Sequence, residues 1–254
     1  MVLAVLAAGC QTPSTNGITQ VATIDALLTG VYDGHMSLKT LRTYGDFGIG
    51  TFEGLDGEML LLDGSFYKVR ADGRVYRPAL SERTPFACVT TFVPDTRDTI
   101  PNSTDLKGLE ARIDTLVPQP NRFCAFRVRG VFSRVQTRSV PAQHKPYPPL
   151  ADVTKTQPVF SFTNVCGTLI GFRAPPFVKG VNVPGYHLHF LADDQSGGGH
   201  VLAFDMTQGV LAADTVHDWL HLYLPTESAS FGTADLTQDR AATLRAVEKS
   251  SVIK

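Results

Sequence analysis

Between Gly185 and Phe204 the chain reads GYHLHFLADDQSGGGHVLAF, and this stretch constrains the fold more than any other. Tyr186, Leu188 and Phe190 alternate with His187 and His189. Strict alternation predicts a β-strand with two unlike faces, and places both imidazoles on one of them, roughly 7 Å apart. Two rings at that spacing can lean onto one metal ion, each at about 2.0–2.1 Å. Asp193 to Gly199 are turn formers able to reverse the chain, and His200 then heads a second apolar run, Val201 to Phe204. A hairpin here returns His200 to the first pair. Three nitrogen ligands with open positions for a substrate is the pattern of catalytic rather than structural zinc. The competing reading is of histidines that are merely solvated or hydrogen-bonded. Against it stands the clustering of three of the chain's seven histidines in one strand–turn–strand segment.

A chain of 254 residues can bury a sizeable core, as one large domain or two small ones packed together. Hydrophobic residues make up 43% and charged residues 19%, with a formal net charge of −1 and no basic block, so nothing points to nucleic acid as a partner. Twenty-two glycines and 16 prolines tilt the chain toward strands joined by many turns. None of Cys10, Cys88, Cys124 and Cys166 forms a CxxC pair, which argues against a thiolate zinc site. Cys88, Cys124 and Cys166 sit among apolar residues and read as buried thiols. A Cys88–Cys124 disulfide in an oxidising compartment stays open as the alternative.

In chain order, the opening MVLAVLAAGCQTPSTNG is a processing segment rather than a fold element. Leu6-Ala7-Ala8-Gly9-Cys10 resembles a bacterial lipobox, with Cys10 as the acylated residue and Gln11 to Gln20 as a polar tether. The expectation is an exported protein, lipid-anchored at Cys10 or periplasmic; the alternative is a cytoplasmic enzyme. Residues 1–20 are thus set apart from an N-terminal half over 21–160 and a histidine-bearing half over 161–254. In the first half, Thr23 caps a short helix ended by Gly30, and Ser37 to Arg42 suggests a second. Asp-Gly pairs at 56–57, 63–64 and 72–73 punctuate a β-meander. Leu106, Leu109, Ile113 and Leu116 have helical spacing, and strands are expected over 85–92, 121–130, 131–137 and 160–172, with Gly130 at a turn or bulge. A terminal helix runs from about Asp235, capped by Thr237, to Glu248. The class is α+β, with two β-rich α/β halves.

Two further residues stand out. Glu58 opens the apolar run Met59 to Leu62 directly after Asp56-Gly57, and a carboxylate there is costly to bury unless paired, protonated or near a metal. The plain alternative is an exposed glutamate at a hairpin end. Arg127, Arg129, Arg134 and Arg138 share one strand, and composition does not say which points inward. An inward guanidinium suits a carboxylate substrate, which it can hold with two parallel hydrogen bonds.

The segments GDFGIGTFEGLDGEMLLLDGSFYKV, TPFACVTTF, TRSVPAQHKPYPPL, GTLIGF and NVPGYHLHFLADDQSGGGHVL occur in this order, and together they resemble the acetolactate decarboxylase family from about Thr23 to Glu248. The resemblance implies two α/β halves with mixed and antiparallel sheets, often in a homodimer, and a carboxy-lyase converting (S)-2-acetolactate to (R)-acetoin and CO2. It implies one zinc ion per chain on His187, His189 and His200. It implies active-site roles for Glu58, Arg138 and Glu248, and a pocket position for Thr51. One glutamate, Glu58 or Glu248, would deliver the proton to the new stereocentre. Two rivals accompany this reading: an envelope zinc hydrolase with Glu58 as general base, and a non-catalytic metal-binding lipoprotein of the same fold. No HExxH motif supports the first, and the intact set of candidate residues argues against the second.

Overall fold

Asp63 and Gly64 both adopt left-handed backbone, φ 49° and 74°, and so make the tight turn their sequence predicts. The computed structural model in which they lie describes residues 16–215 and 217–248; Cys10 and the lipobox-like segment fall outside that range. The chain begins with β1 (Gly17–Val21), α1 (Ile24–Leu28), β2 (Met36–Ser37), α2 (Leu38–Leu41), β3 (Phe47–Thr51), β4 (Glu58–Leu62), β5 (Ser65–Val69) and β6 (Val75–Tyr76). Next come β7 (Arg83–Thr84), β8 (Ala87–Thr90), β9 (Thr96–Ile100), β10 (Thr104–Asp105), α3 (Leu106–Leu116) and β11 (Cys124–Arg138). The last part holds α4 (Leu150–Val153), β12 (Val159–Ala174), β13 (Gly185–Ala192), β14 (Gly198–Asp214), β15 (Trp219–Tyr223), α5 (Ala229–Thr233) and α6 (Ala241–Glu248).

Apart from the small antiparallel pair β2–β7, these strands form two large sheets. The first runs β15-β1-β8-β3-β4-β5-β6 and is mixed, because β15 pairs parallel to β1. The second, antiparallel, runs β10-β14-β11-β12-β13, with β9 also on β14 and β13 closing back onto β14. The class is α+β, as expected. Residue 160 lies inside β12, which pairs with β11 along nearly its whole length, so the sheets run across the 160/161 division.

Alternation along the strands decides what faces what. Ile49, Leu60 and Leu62 of the first sheet meet Ala125, Ile170 and Phe172 of the second, and Phe47 meets Phe172 edge-on at 5.9 Å. On the far side of the second sheet, Phe126, Phe132, Phe190 and Phe204 lie under Leu109 and Ile113 of α3. Met59, Leu61 and Val89, on the far side of the first, are covered by Leu38 and Leu41 of α2. A fourth cluster joins α1, α4 and α6 through Ile24, Leu27, Leu150, Leu244 and Val247, with Leu55 and Phe86. Each such side chain contributes about 1.5–3 kcal/mol when fully buried.

Several local expectations change. The Asp56-Gly57 pair closes a longer connection than a two-residue hairpin, because Phe52 and Leu55 turn inward and are each 1% exposed. The terminal helix starts at Ala241, not near Asp235. Asp235 spends its carboxylate on the backbone and hydroxyl of Thr237, and it is Asp239 that accepts from the Ala241 N–H. Cys88 and Cys124 are free buried thiols, both pushed up to about 12 by burial. Cys166 is free but exposed, since that stretch of β12 turns one face to solvent.

Candidate metal centre and decarboxylase site

On β13, Leu188 and Phe190 point into the outer core, which turns His187 and His189 toward the first sheet. His200, the third residue of β14, lies opposite His189 in the β13–β14 register. Arg138, the last residue of β11, lies opposite His200 on the other flank of β14. From the facing sheet, Glu58 at the start of β4 pairs with Thr51 at the end of β3. The helical cap brings Glu248 on the last turn of α6. All seven side chains singled out in the sequence therefore meet at one end of the inter-sheet layer.

Gly199 is what lets β14 approach closely enough. Its φ is +122°, and a Cβ there would lie 2.5 Å from the Arg138 carbonyl oxygen. Any side chain would strain the backbone and push His200 away from Arg138.

The candidate ligand atoms of His187, His189 and His200 all lie within 4.8 Å of one another, with ring centroids 5.0–5.5 Å apart. His189 Nδ1 is 2.8 Å from the Met59 carbonyl oxygen, so this nitrogen carries the hydrogen and Nε2 keeps its lone pair. Nε2 of His189 and Oε2 of Glu248 are buried with no hydrogen-bond partner. His187 is held down at about 3, first by burial and then by the Arg138 charge, and His189 and His200 are held well below the ordinary imidazole value, first by burial and then by the neighbouring rings and Arg138. Three neutral imidazoles with an orphaned inward lone pair fit a divalent ion such as zinc.

Two carboxylates and one guanidinium complete the site. Glu58 Oε1 lies 3.4 Å from Arg138 Nη1, and its Oε2 lies 3.5 Å from His189 Nε2. Burial, with a contribution from Glu248, raises Glu58 to about 7 against the opposing pull of Arg138 and the Val140 N–H. Glu248 is raised as well, again first by burial, and its Oε2 stands 3.8 Å from His187 Nε2 and 3.7 Å from His200 Nε2. Arg138 also donates to the Val247 carbonyl at 3.4 Å. Of the strand's other arginines, Arg127 pairs with Asp63 and Arg134 with Asp205, while Arg129 is exposed. Thr51 lines the cavity, but its hydroxyl donates to the Gly57 carbonyl at 2.8 Å.

The cavity itself measures about 40 Å³, bounded on its apolar side by Ile24, Leu27, Leu55, Phe86, Val140 and Leu150. That apolar wall was not foreseen, although the i, i+3 pair Ile24 and Leu27 on a capped helix carried the signal. The Met59 carbonyl and the Val140 N–H had none, because every residue type offers these groups.

Neutral imidazoles, a buried guanidinium and two raised carboxylates around one small cavity make an enzyme site suited to a small molecule. The family model for alpha-acetolactate decarboxylase matches residues 18–238. The chain belongs to this family and is a decarboxylase. It is 51% identical over 230 residues to the alpha-acetolactate decarboxylase of Methanosarcina mazei, covering 91% of this chain and 79% of that protein. The Bacillus subtilis enzyme is 44% identical over 200 residues, 79% of this chain and 78% of its own. A crystal structure of alpha-acetolactate decarboxylase from Bacillus subtilis superposes with a TM-score of 0.89 at 40% identity, over 92% of this chain and all of that one. A Staphylococcus aureus protein described as similar to the same enzyme gives 0.87 at 28% identity over 92% of this chain.

Proposed function

We propose that this decarboxylase converts (S)-2-acetolactate to (R)-acetoin and CO2 with one zinc ion per chain, held by His187, His189 and His200. One observation carries the reading: the three imidazoles converge beside the cavity that also holds Arg138, Glu58 and Glu248. Zinc, when bound, supplies a Lewis acid for charge that builds on the substrate's oxygens.

The chain's own groups do the rest. Arg138 receives the substrate carboxylate through two parallel hydrogen bonds. The C–C bond to that carboxylate breaks, CO2 leaves, and the bonding pair spreads from C2 onto the neighbouring carbonyl oxygen. Ile24, Leu27, Leu55 and Phe86 keep water away while this charge exists. Glu58 in its protonated form then gives its proton to C2, so one proton is taken up for each CO2 released. Glu248, buried against His187 and His200, orients the reacting atoms. A donor fixed on one side protonates one face, which yields a single hand of product.

Purified enzyme given acetolactate is expected to form acetoin of one hand, in step with CO2, and to stop when a chelator removes its metal. Ester hydrolysis without acetoin would instead favour a hydrolase, and no turnover at all a binding protein.

The same proposal includes a homodimer. β15 is an edge strand of the first sheet whose five residues are all exposed, with Trp219 at 59% and Tyr223 at 41%. A bare apolar edge is a template for pairing, and a second copy would cover it. Light scattering should give twice the chain mass; a stable monomer contradicts the dimer. Export with acylation at Cys10 rests on the lipobox-like Leu6 to Cys10, and a lipid adduct on Cys10 in the membrane fraction, or its absence, decides it.

A further inference from the structure

Two hydrogen bonds onto backbone carbonyls of the first sheet tie the sheets together at the site, one ending on β4, which carries Glu58, and one on its neighbour β5. One is the His189–Met59 hydrogen bond already described. The other comes from Ser139, which follows Arg138 directly, is 0% exposed, and donates from Oγ to the Val69 carbonyl at 2.7 Å. Val69 is the register partner of Glu58 across β4 and β5. The backbone of Gly57 runs against the same carbonyl, where a Cβ would stand 2.5 Å away. Ser139 is held on its other side by its N–H, which donates to the Pro158 carbonyl at 3.4 Å.

The result is a short bridge between Arg138 on the second sheet and Glu58 on the first, whose own side chains stand at a loose 3.4 Å. A guanidinium and a carboxylate at that separation do not fix each other. Their spacing is set by the backbones that carry them. We infer that Ser139 is a positioning residue for the decarboxylation, its hydroxyl bond to Val69 setting the distance between the Arg138 guanidinium and the Glu58 carboxyl. The inference rests on the proposed roles of those two residues. Displacement of reacting groups by about an ångström costs on the order of 100-fold in rate. Loss of one buried hydrogen bond in a chain this long shifts Tm by only about 2–4 °C.

The test is a cycle of Ser139→Ala and Arg138→Lys, with kcat, KM, zinc content and Tm measured for each protein. Ser139→Ala is expected to lower kcat tenfold or more, with zinc content unchanged and Tm slightly lowered. In the Arg138→Lys background, the same change should alter kcat less than threefold while lowering Tm by the same amount, because the group it positions is gone. Ser139→Cys, which keeps a weak donor of similar size, should recover part of kcat, and it replaces the alanine variant in the cycle if that one does not fold. Equal factors in both backgrounds, or a kcat for Ser139→Ala within twofold of wild type, overturn the inference and leave the decarboxylase reading standing. A wild-type enzyme that forms no acetoin overturns that reading and this inference with it.

Discussion

With the proposed zinc site, His189→Ala is expected to yield a folded protein that neither retains zinc nor forms acetoin. His189 is 0% exposed, and the Met59 carbonyl at 2.8 Å from Nδ1 sets its tautomer. Removing a partner that merely orients a ligand weakens metal binding about 10- to 100-fold, and removing the ligand itself should exceed that. The fold survives because the inter-sheet core of Phe47, Leu60, Ile170 and Phe172 does not depend on the ring. Metal analysis after gel filtration, with acetoin assayed on the same fractions, checks both halves of the result. Zinc retained at wild-type level would remove His189 from the ligand set.

Glu58→Gln has the opposite signature: zinc stays and turnover goes. The amide keeps the shape and the hydrogen bonds near Arg138 and Val140, but it has no acidic proton to give. A positioned general acid typically contributes about 10²–10⁴-fold, so kcat should fall within that range. KM should move little if Arg138 alone holds the substrate carboxylate. The product that does form should lose its single hand, because no donor fixed on one side then supplies the proton. A Glu58→Gln enzyme with normal kcat and one hand of acetoin would transfer the proton-donor role to Glu248.

Much of this site was legible in the sequence because strand periodicity is local. His187 and His189 share a face by their spacing alone, and the glycine-rich turn promised His200. The arginine was harder. Arg127, Arg129, Arg134 and Arg138 alternate along β11, but irregularities in its pairing with β14 near Val131 to Arg134 and at Gln136–Thr137 change which side chain faces which layer. Gly130 signals a bulge beside the first of those shifts, but nothing signals the one at Gln136–Thr137, so only the resemblance singled out Arg138. The start of α6 differs because the Thr237 hydroxyl, the cap that the sequence suggests, donates to Asp235 instead, and Asp239 caps the helix where it packs through Leu244 and Val247. The parallel pairing of β15 with β1 joins residues about 200 positions apart, and no local pattern specifies it. The Ser139–Val69 bond is likewise long-range, and a lone serine in a proline-rich stretch gives no sign of it.

Metal titration tests the central claim most directly. Enzyme stripped of metal by a chelator is given zinc in steps, and acetoin formation is followed at saturating acetolactate. Activity should rise from near zero in proportion to added zinc and level off at one ion per chain, with His189→Ala flat throughout. Full activity in the stripped enzyme, or a plateau unrelated to one ion per chain, would contradict a site built on His187, His189 and His200.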